Sequence, residues 1–396
     1  MIHRVTAVAS ELREVLIVDA VRTPVGRGHP EKGMFKDVHP ADLLGRCFEA
    51  LVERSGIDSG EVDNVFAGCA YQIAEQSGGI SRTAWLQKGL SERTGATTVD
   101  IRCGSGQQAV HFAALRVAAG VDELAAAGGV EHMSRVGFPV QEGAQQQWGR
   151  AFAPELLERY NLVPQGIGAE MIADHWRVSR REMDEFALRS HRLAGRATRS
   201  GAFRREILPI GVNSHVCDTD QGIRADTTLD KLAALKPAFK PDGKITAGNS
   251  SQVSDGAAAL LLASPEKAAA LGLEPRARIV DQVVLGVDPV TMLTGPIPAT
   301  ERILTRNSLS IGDLDLIEIN EAFASVVLAW VREHAPDMDR VNTRGGAIAL
   351  GHPLGSTGAR LLTTLLHALE DEDKELGLVT MCCGGGLGTA TLIQRI

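Results

Sequence analysis

Two cysteines stand side by side near the C-terminal end of the sequence, where an apolar run meets three glycines in "GLVTMCCGGGLGTATLI". Free cysteine packs as a small hydrophobe, so Cys382 and Cys383 could belong to the core. Glycines also let a substrate or a backbone come within bonding distance of a sulfur atom. This stretch alone leaves two alternatives open, packing and thiol chemistry.

A third cysteine, Cys103, joins a β-like run to a helical run in "VDIRCGSGQQAVHFAAL". The partial positive charge of a helix N-terminus lowers the pKa of a thiol there and favours the nucleophilic thiolate. Gly104 and Gly106 leave the approach open, and the amides of the turn could bind an oxyanion. A buried, unreactive thiol at the end of a strand would fit the same position.

One histidine and one asparagine could serve the same chemistry. His352 lies between a glycine and a proline in "GGAIALGHPLGSTGAR", where an uncrowded imidazole suits a Cys–His nucleophile. Asn320 ends a predicted strand in "IEINEAFAS", and its amide could orient a water molecule or donate to an oxyanion. The alternatives are a structural histidine, and an asparagine that caps a helix beginning at Glu321.

The composition argues against several classes of protein. The net charge of −8 gives no bulk attraction for nucleic acid or for an anionic membrane. The six cysteines include no CxxC spacing, so we expect neither a metal site nor a thioredoxin-like site. The longest apolar run is too short to span a bilayer, and the N-terminus lacks the features of a signal peptide. We therefore expect a cytoplasmic protein with free thiols.

An anionic ligand would need a local basic patch, and one segment offers it. This segment adjoins the small-residue loop "TAGNSS", along which a thin phosphate-bearing ligand could lie. A solvated charged face is the alternative. The patch sets the cations Arg224, Lys231, Lys236, Lys240 and Lys244 against the anions Asp226, Asp230 and Asp242.

Strand and helix signals alternate over the N-terminal third and again over the C-terminal third of the chain. Each part has a glycine-rich helix start, at 104–106 and at 355–358, followed by a strand that ends in glycines. Such alternation implies mostly parallel sheets covered by helices, and we interpret the two parts as duplicated halves of an α/β fold. A mostly helical insertion separates them over about residues 132–250. Within it, Ser179 and Glu182 predict a capping box, whereas "QEGAQQQWGRAF" shows no helical period.

These motifs together resemble the thiolase family, whose members cleave or form 3-ketoacyl-CoA. The resemblance covers essentially the whole chain and rests on "CGSGQQA", "GGVEHMS", "TAGNSSQVSDGAAA", "NEAFA", "GGAIALGHPLGSTGAR" and "MCCGGGLGTA". It implies the thiolase fold, two similar βαβαβαββ halves stacked as α-β-α-β-α layers. It also implies that residues 1–131 with 251–270 form the N-terminal half and residues 271–396 the C-terminal half. Residues 132–250 would form a loop domain that binds CoA and covers the acyl pocket.

The resemblance implies a role for each reactive residue. Cys103 would be the acyl-accepting nucleophile, and His352 the base that activates it. Cys382 would be the acid and base for the α-carbon of the substrate, while Asn320 would position an oxyanion-binding water. The amides of Cys103 and Gly384 would form a second oxyanion hole. Of the adjacent cysteines, Cys383 is left as a packing residue.

The resemblance also implies the ligands. Arg224 would contact the nucleotide end of CoA, and Gly248 and Ser251 would line its pantetheine arm. CoA would be a co-substrate, with no covalently bound cofactor and no metal. The expected partners are 3-ketoacyl-CoA, CoA and acetyl-CoA (or propionyl-CoA), without nucleic acid or membrane insertion. We expect a homodimer or a homotetramer.

Two departures from the family pattern bear on the activity. Asp100 stands where many relatives carry asparagine, and Pro164 with Gln165 replaces the His-Met pair over the acyl pocket of biosynthetic members. The similarity is most specific to bacterial degradative thiolases of the steroid side-chain type. We therefore expect thiolysis, as in β-oxidation, of acyl groups bulkier than acetoacetyl.

Four other classes of protein are alternatives to a degradative thiolase. A biosynthetic acetoacetyl-CoA thiolase and a catalytically weak steroid- or lipid-CoA-binding relative share the family pattern. A decarboxylating ketoacyl synthase fits poorly, because such enzymes use histidine where this chain has Cys382. A dinucleotide enzyme built on "GGGLG" fits less well still, because no helix and acidic partner follow at the required spacing.

Overall fold

The computed structural model describes residues 12–396, so most of the N-terminal segment in which we expect no signal peptide lies outside the described residues. Along the first part of the chain, short strands alternate with helices as the sequence predicts. Gly56 ends the first helix at φ 65°, a left-handed conformation that glycine adopts at little cost. The elements are β1 (Leu16–Arg22), β2 (Gly26–Arg27), α1 (Pro40–Ser55), β3 (Asn64–Gly68), α2 (Ile80–Gln87), β4 (Gly95–Val99), α3 (Ser105–Ala118) and β5 (Leu124–His132).

The insertion is mostly helical, and its capping box is present with both reciprocal bonds between Ser179 and Glu182. The polar stretch without a helical period forms a helix all the same. None of its residues is fully buried, so its helicity comes from good helix formers such as Gln, Glu and Ala, and not from an apolar face. The elements are α4 (Phe138–Trp148), α5 (Pro154–Arg159), α6 (Gln165–His175), α7 (Arg180–Ser200), β6 (Ile210–Val212), β7 (His215–Cys217) and α8 (Leu229–Ala233).

The remaining chain completes the first half and builds the second. In the second half, Val341 forms a single parallel bridge with Ile317 where the βαβαβαββ pattern would place a further strand. The elements are β8 (Ser254–Ala263), α9 (Pro265–Leu271), β9 (Ala277–Gly286), α10 (Pro296–Arg306), β10 (Leu316–Ile319), α11 (Ala324–His334), α12 (Ala347–Leu350), α13 (Thr357–Asp371), β11 (Leu376–Cys383) and β12 (Leu387–Arg395).

The strands of each half lie in the order expected for a duplication. In the first half the order is β4-β3-β5-β8-β1, and in the second it is β10-β11-β12-β9. The two halves are joined into one continuous sheet, because the first residues of β1 and β9 pair at Leu16↔Arg278 and Ile17↔Ala277. β8 lies between β1 and β5, so the chain returns from the insertion into the first half. The domain boundaries themselves stay a prediction.

Helices α3 and α13 pack against each other between the strands of the two halves, while α1 and α2 cover the first half and α10 covers the second. The glycine-rich helix starts permit this close packing. A Cβ atom on Gly106 would lie 2.6 Å from the carbonyl oxygen of Gly355, and one on Gly358 would overlap Gln107. The layered α/β architecture is therefore confirmed, and it brings the two glycine-rich loops into contact. No helix within residues 12–396 has the length and apolarity required to cross a bilayer.

Candidate active site

Cys103 lies in a 3-10 turn between β4 and α3, and it lines a cavity of about 1150 Å³. The preceding residue, Arg102, has a φ of 59°, which is uncommon for a side chain other than glycine. Two bonds hold this conformation. The Arg102 amide donates to Asp100 Oδ1 at 2.7 Å, and the Ser105 hydroxyl donates to the Arg102 carbonyl at 2.6 Å. Asp100 therefore supports the nucleophile turn, and an asparagine oxygen could accept the same bond.

Burial raises the pKa of the Cys103 thiol to about 11, although the Gly384 amide donates a hydrogen bond to its sulfur and opposes the shift. The lowering expected from the helix N-terminus does not decide this pKa. Removal from water disfavours the thiolate more than the amide favours it. Cys103 is a neutral thiol at pH 7, so it needs a general base to become a nucleophile.

His352 is buried, and its donors and acceptors assign one tautomer. Its Nδ1 lies 2.6 Å from Thr357 Oγ1, and that hydroxyl lies 2.8 Å from the Pro353 carbonyl oxygen. The carbonyl can only accept, so Thr357 donates to it and accepts the proton of Nδ1–H. Nε2 is left with a free lone pair. Burial, with a smaller contribution from Arg360, lowers the pKa of His352 to about 3, so the imidazole is a neutral base.

Asn320 lies beside this base. Its Nδ2 atom is 3.4 Å from His352 Nε2, so the side-chain amide points at the lone pair. The alternative role as a helix cap is wrong. Helix α11 begins at Ala324 with Phe323 at its N-cap, because the chain stays extended beyond Asn320. The backbone of Asn320 donates instead to Thr380 on the neighbouring strand β11.

The adjacent cysteines differ in their surroundings, as successive residues of a strand should. Burial and the proximity of Cys103 raise the pKa of both the Cys382 and the Cys383 thiol well above the ordinary value. Both sulfur atoms are therefore close enough to Cys103 to interact with it electrostatically. Cys383 packs against the start of α3, where a Cβ atom on Gly104 would lie 2.6 Å from its sulfur. This contact agrees with the packing role expected for Cys383.

The wall of the cavity beside Cys103 includes both residues that depart from the biosynthetic pattern, Pro164 and Gln165. Pro164 is the N-cap of α6, so Gln165 opens that helix. The amide of Gln165 packs so closely on Gly384 that a side chain at Gly384 would overlap it. The missing side chain at Gly384 thus leaves room for Gln165 next to the nucleophile.

The residues expected to bind CoA lie elsewhere. Arg224 lines a separate depression of about 110 Å³ with Arg192 and Arg199, and its amide donates to His191 Nδ1 at 3.2 Å. Burial and Arg224 lower the pKa of His191 to about 4, which keeps this acceptor neutral. The charge of the basic patch is partly neutralised, because Lys231 forms an ion pair with Asp226 at 2.5 Å.

Gly248 and Ser251 line neither this depression nor the Cys103 cavity. Gly248 donates to the Thr246 hydroxyl at 3.1 Å, and the Ser251 amide donates to the Ala322 carbonyl at 2.9 Å. The structure thus groups Cys103, Gly384 and Cys382, and groups His352 with Asn320. Ser251 lies beside the second group, because the carbonyl of the next residue, Gln252, accepts from the His352 amide at 3.2 Å. Arg224 lies in the separate depression.

Glu131 has no role in the expectations drawn from the motifs, yet it connects two loops near the site. This fully buried carboxylate accepts hydrogen bonds from the amides of Ala70, Tyr71 and Gly355 at 2.8, 3.1 and 2.9 Å, and from Gln76 at 2.7 Å. Burial raises its pKa to about 7 against these donors. Glu131 therefore ties the His352 loop to the loop that carries Tyr71, a cavity residue. In the sequence, the sign that Glu131 has a special role was its charge inside the apolar run "GGVEH", because a charged residue is seldom buried without partners.

Two family profiles cover almost all of the described chain. The profile "Thiolase, N-terminal domain" matches residues 15–266, and "Thiolase, C-terminal domain" matches residues 273–395. The chain belongs to the thiolase family. This confirms the resemblance that the motifs predicted, and with it the acyltransferase class.

Among the relatives of this thiolase is the steroid 3-ketoacyl-CoA thiolase FadA6 of Mycobacterium tuberculosis. It is 42% identical over 397 residues, which cover 97% of this chain and 95% of the relative. The β-ketoadipyl-CoA thiolase of Pseudomonas aeruginosa is 45% identical over 403 residues, covering 97% of this chain and all of the relative. The crystal structure of the Bacillus anthracis acetyl-CoA acetyltransferase superposes with a TM-score of 0.90 at 39% identity. It covers 98% of this chain and all of that structure.

Proposed function

We propose that this thiolase cleaves 3-ketoacyl-CoA by CoA-dependent thiolysis through an acyl-enzyme on Cys103. The reverse reaction is a Claisen condensation. The observation that carries the proposal is the position of Cys103 in a large cavity, with the Gly384 amide on its sulfur and Cys382 within electrostatic reach. These groups supply a nucleophile, an oxyanion donor and a second thiol, which are the parts that carbon–carbon cleavage by acyl transfer requires.

In the first step, the neutral imidazole of His352 takes the proton of Cys103, and the thiolate attacks the 3-keto carbon. The bond between C2 and C3 then breaks, which leaves the acyl group as a thioester on Cys103 and releases the enolate of acetyl-CoA. Cys382 gives its proton to C2 of that enolate. An acid on carbon is needed here because the leaving group is a carbon atom, and a thiol with a raised pKa keeps its proton until the enolate forms.

In the second step, the thiol of CoA attacks the acyl-enzyme. The proton of that thiol passes to the Cys382 thiolate, and His352 returns its proton to Cys103 as the sulfur leaves. The products are a shortened acyl-CoA and the regenerated enzyme. The amides of Cys103 and Gly384 hold one oxyanion, and a water positioned by Asn320 holds the other. Each donor should contribute about 3 kcal/mol to the transition state.

The preferred acyl group in this proposal is bulkier than acetoacetyl. A cavity of about 1150 Å³ exceeds what a short acyl chain fills, and Pro164 with Gln165 forms a wall unlike that of biosynthetic members. Proline fixes its own backbone angle, so this wall keeps its shape. The similarity to a relative named for steroid 3-ketoacyl-CoA also supports a bulky acyl group. Each buried methylene should add about 0.8 kcal/mol to binding in a fitted pocket.

The remaining assignments complete the proposal. CoA is the co-substrate, with Arg224 at its nucleotide and Gly248 and Ser251 along its pantetheine arm. The protein works as a homodimer or homotetramer in the cytoplasm, where free cysteines such as those found in the described chain persist. The loop domain over residues 132–250 covers the acyl pocket, as the position of α4 and the Pro164 segment on the cavity wall suggests.

A substrate series tests the choice of acyl group. The measurement is kcat/KM for thiolysis of acetoacetyl-CoA, a medium-chain 3-ketoacyl-CoA and a steroid-linked 3-ketoacyl-CoA. We expect efficiency to rise by at least about tenfold from acetoacetyl-CoA to the preferred bulky substrate. Best efficiency with acetoacetyl-CoA would instead identify a biosynthetic enzyme. Binding of all three without turnover would identify a catalytically weak binding protein.

A further inference from the structure

The lining of the Cys103 cavity combines apolar and polar side chains. Its apolar members include Met292, Leu354 and Val163. Helix α4 and the chain that follows it form a wall with the aromatic side chains of Phe138 and Phe152 and a larger polar set. That wall presents side-chain amides and charges to the cavity: Gln141, Glu142, Gln145, Gln146 and Arg150. A purely aliphatic acyl group would make no polar contact with these side chains, and polar groups in ligand pockets commonly fix orientation and specificity.

Arg150 is the cation on this wall that lacks an acidic partner. The other arginine of the cavity, Arg102, lies 3.8 Å from Asp100. Arg150 is exposed, and no other residue within 12–396 forms an ion pair or a hydrogen bond with its guanidinium. An unpaired guanidinium beside a substrate cavity is a ready partner for a carboxylate, because its planar fork of N–H donors matches two carboxylate oxygens.

The backbone on both sides of Arg150 is held in place. Helix α4 ends at Gly149 with φ 109°, a conformation that favours glycine, and the Gly149 amide donates to the Gln145 carbonyl at 3.0 Å. The Ala151 amide then donates to the side-chain oxygen of Gln145 at 3.5 Å. Gln145 thus accepts hydrogen bonds from the residues on both sides of Arg150, and these bonds position the backbone of the arginine at the cavity wall.

We propose that the part of the cavity lined by α4 and Arg150 is a carboxylate subsite, in which Arg150 and the α4 glutamines bind the terminal carboxylate of a dicarboxylic 3-ketoacyl-CoA. The proposal rests on the thiolysis proposed above and names its substrate class. The substrate carries its thioester and 3-keto group at Cys103, an apolar middle section against Met292 and Leu354, and a free carboxylate at Arg150. The subsite is separate from the depression lined by Arg224, because the two share no residue.

Glu142 gives the subsite an internal control of opposite sign. It lies on the same wall, so its carboxylate repels a second carboxylate that enters there. Replacing Glu142 by glutamine should therefore favour the dicarboxylic substrate, whereas replacing Arg150 should disfavour it. An arginine on the neighbouring helix, Arg159, lines no part of this cavity and serves as the matched control.

The test is kcat/KM of the full chain for matched pairs of 3-ketoacyl-CoA substrates of short, medium and long chain. Each pair has one chain ending in a carboxylate and one ending in the methyl ester of that carboxylate. We expect the wild type to prefer the acid at one chain length. Arg150→Met should lower kcat/KM for that acid roughly tenfold, the loss of one charge-assisted contact, and leave the ester within about twofold. Arg150→Lys should retain part of the preference, Glu142→Gln should increase it, and Arg159→Met should leave it unchanged.

Two results would overturn the carboxylate subsite while leaving thiolysis intact. One is equal or better use of the ester at every chain length by the wild type. The other is an equal loss on acid and ester in Arg150→Met, which would mean that Arg150 contacts CoA or supports the fold. Failure of the wild type to cleave any substrate, acid or ester, would overturn the proposed function itself, and the subsite with it.

Discussion

Thr357 Oγ1 lies 2.6 Å from His352 Nδ1 and donates its own hydrogen bond to the Pro353 carbonyl oxygen. This chain of bonds leaves Nε2 of the imidazole free to act as the base. Thr357→Val should remove the acceptor for Nδ1–H and release the ring to its other tautomer. We expect kcat to fall by roughly ten- to hundredfold with KM nearly unchanged, because substrate contacts are not altered. Thr357→Ser should restore most of the activity.

Steady-state kinetics of the three forms checks this prediction, with far-UV circular dichroism to confirm folding. A rise in KM equal to the fall in kcat/KM, without rescue by serine, would show that Thr357 only supports the loop. A fully active Thr357→Val would show that the tautomer is fixed by another contact.

The pKa values of the reactive pair predict an unusual pH dependence. His352, with a pKa of about 3, stays neutral as the pH falls from about 8.5 to about 6, and Cys103, with a pKa of about 11, stays a thiol. Neither group therefore titrates in this range. The rate of Cys103 acylation by an acyl-CoA should show no midpoint near pH 6.5 from this pair. Single-turnover acylation followed by intact mass avoids the titration of free CoA.

Glu131, with a pKa of about 7, is a group near this site that titrates in the range. If the rate of Cys103 acylation changes with a midpoint near pH 7, that midpoint should therefore disappear in the Glu131→Gln variant. A midpoint that persists in this variant near the ordinary histidine value would contradict the neutral thiol–imidazole pair.

Glu131→Gln should also lower activity at a pH where the carboxylate is ionised. The amide NH2 group of glutamine must face at least one of the N–H donors that now point at the carboxylate. The cost should be about 1–3 kcal/mol in the free energy of unfolding, and kcat should fall roughly tenfold because the Gly355 amide loses its anchor. Gln76→Leu is the matched control, since it removes one donor to Glu131 on the side away from His352. If both variants lose stability equally and neither loses kcat, Glu131 has no role in positioning the His352 loop.

Arg224→Ala should raise KM for CoA substrates by roughly tenfold and leave kcat largely intact, because uniform binding is lost. A pantetheine-only thioester should be unaffected, since it lacks the nucleotide. Steady-state kinetics with both substrates checks this prediction. Arg177→Ala is the control, because Arg177 does not line the Arg224 depression. An equal rise in KM for both substrates would show that Arg224 does not contact the nucleotide.

Local patterns predicted the features that are local in sequence. The alternation of strands and helices follows from spacing, and spacing makes Cys103 and His352 candidates, whereas their roles follow from the family resemblance. The bonds of Glu131 could not be predicted, because its partner Gly355 is 224 residues away. The raised pKa of Cys103 could not be predicted, because a sequence shows the start of the helix, whereas burial is a property of the packed fold. Helix α4 was missed because it has no apolar face to produce a period.

The division of labour between the thiols is the central claim, and intact-mass detection of acyl adducts tests it most directly. The full chain and its Cys103→Ala, Cys382→Ala and Cys383→Ala variants would each be incubated with an acyl-CoA donor and then assayed for carbon–carbon cleavage. We predict no adduct on Cys103→Ala, a slowly formed adduct without cleavage on Cys382→Ala, and both activities in Cys383→Ala. An acyl adduct that persists on Cys103→Ala at the wild-type level would contradict the account.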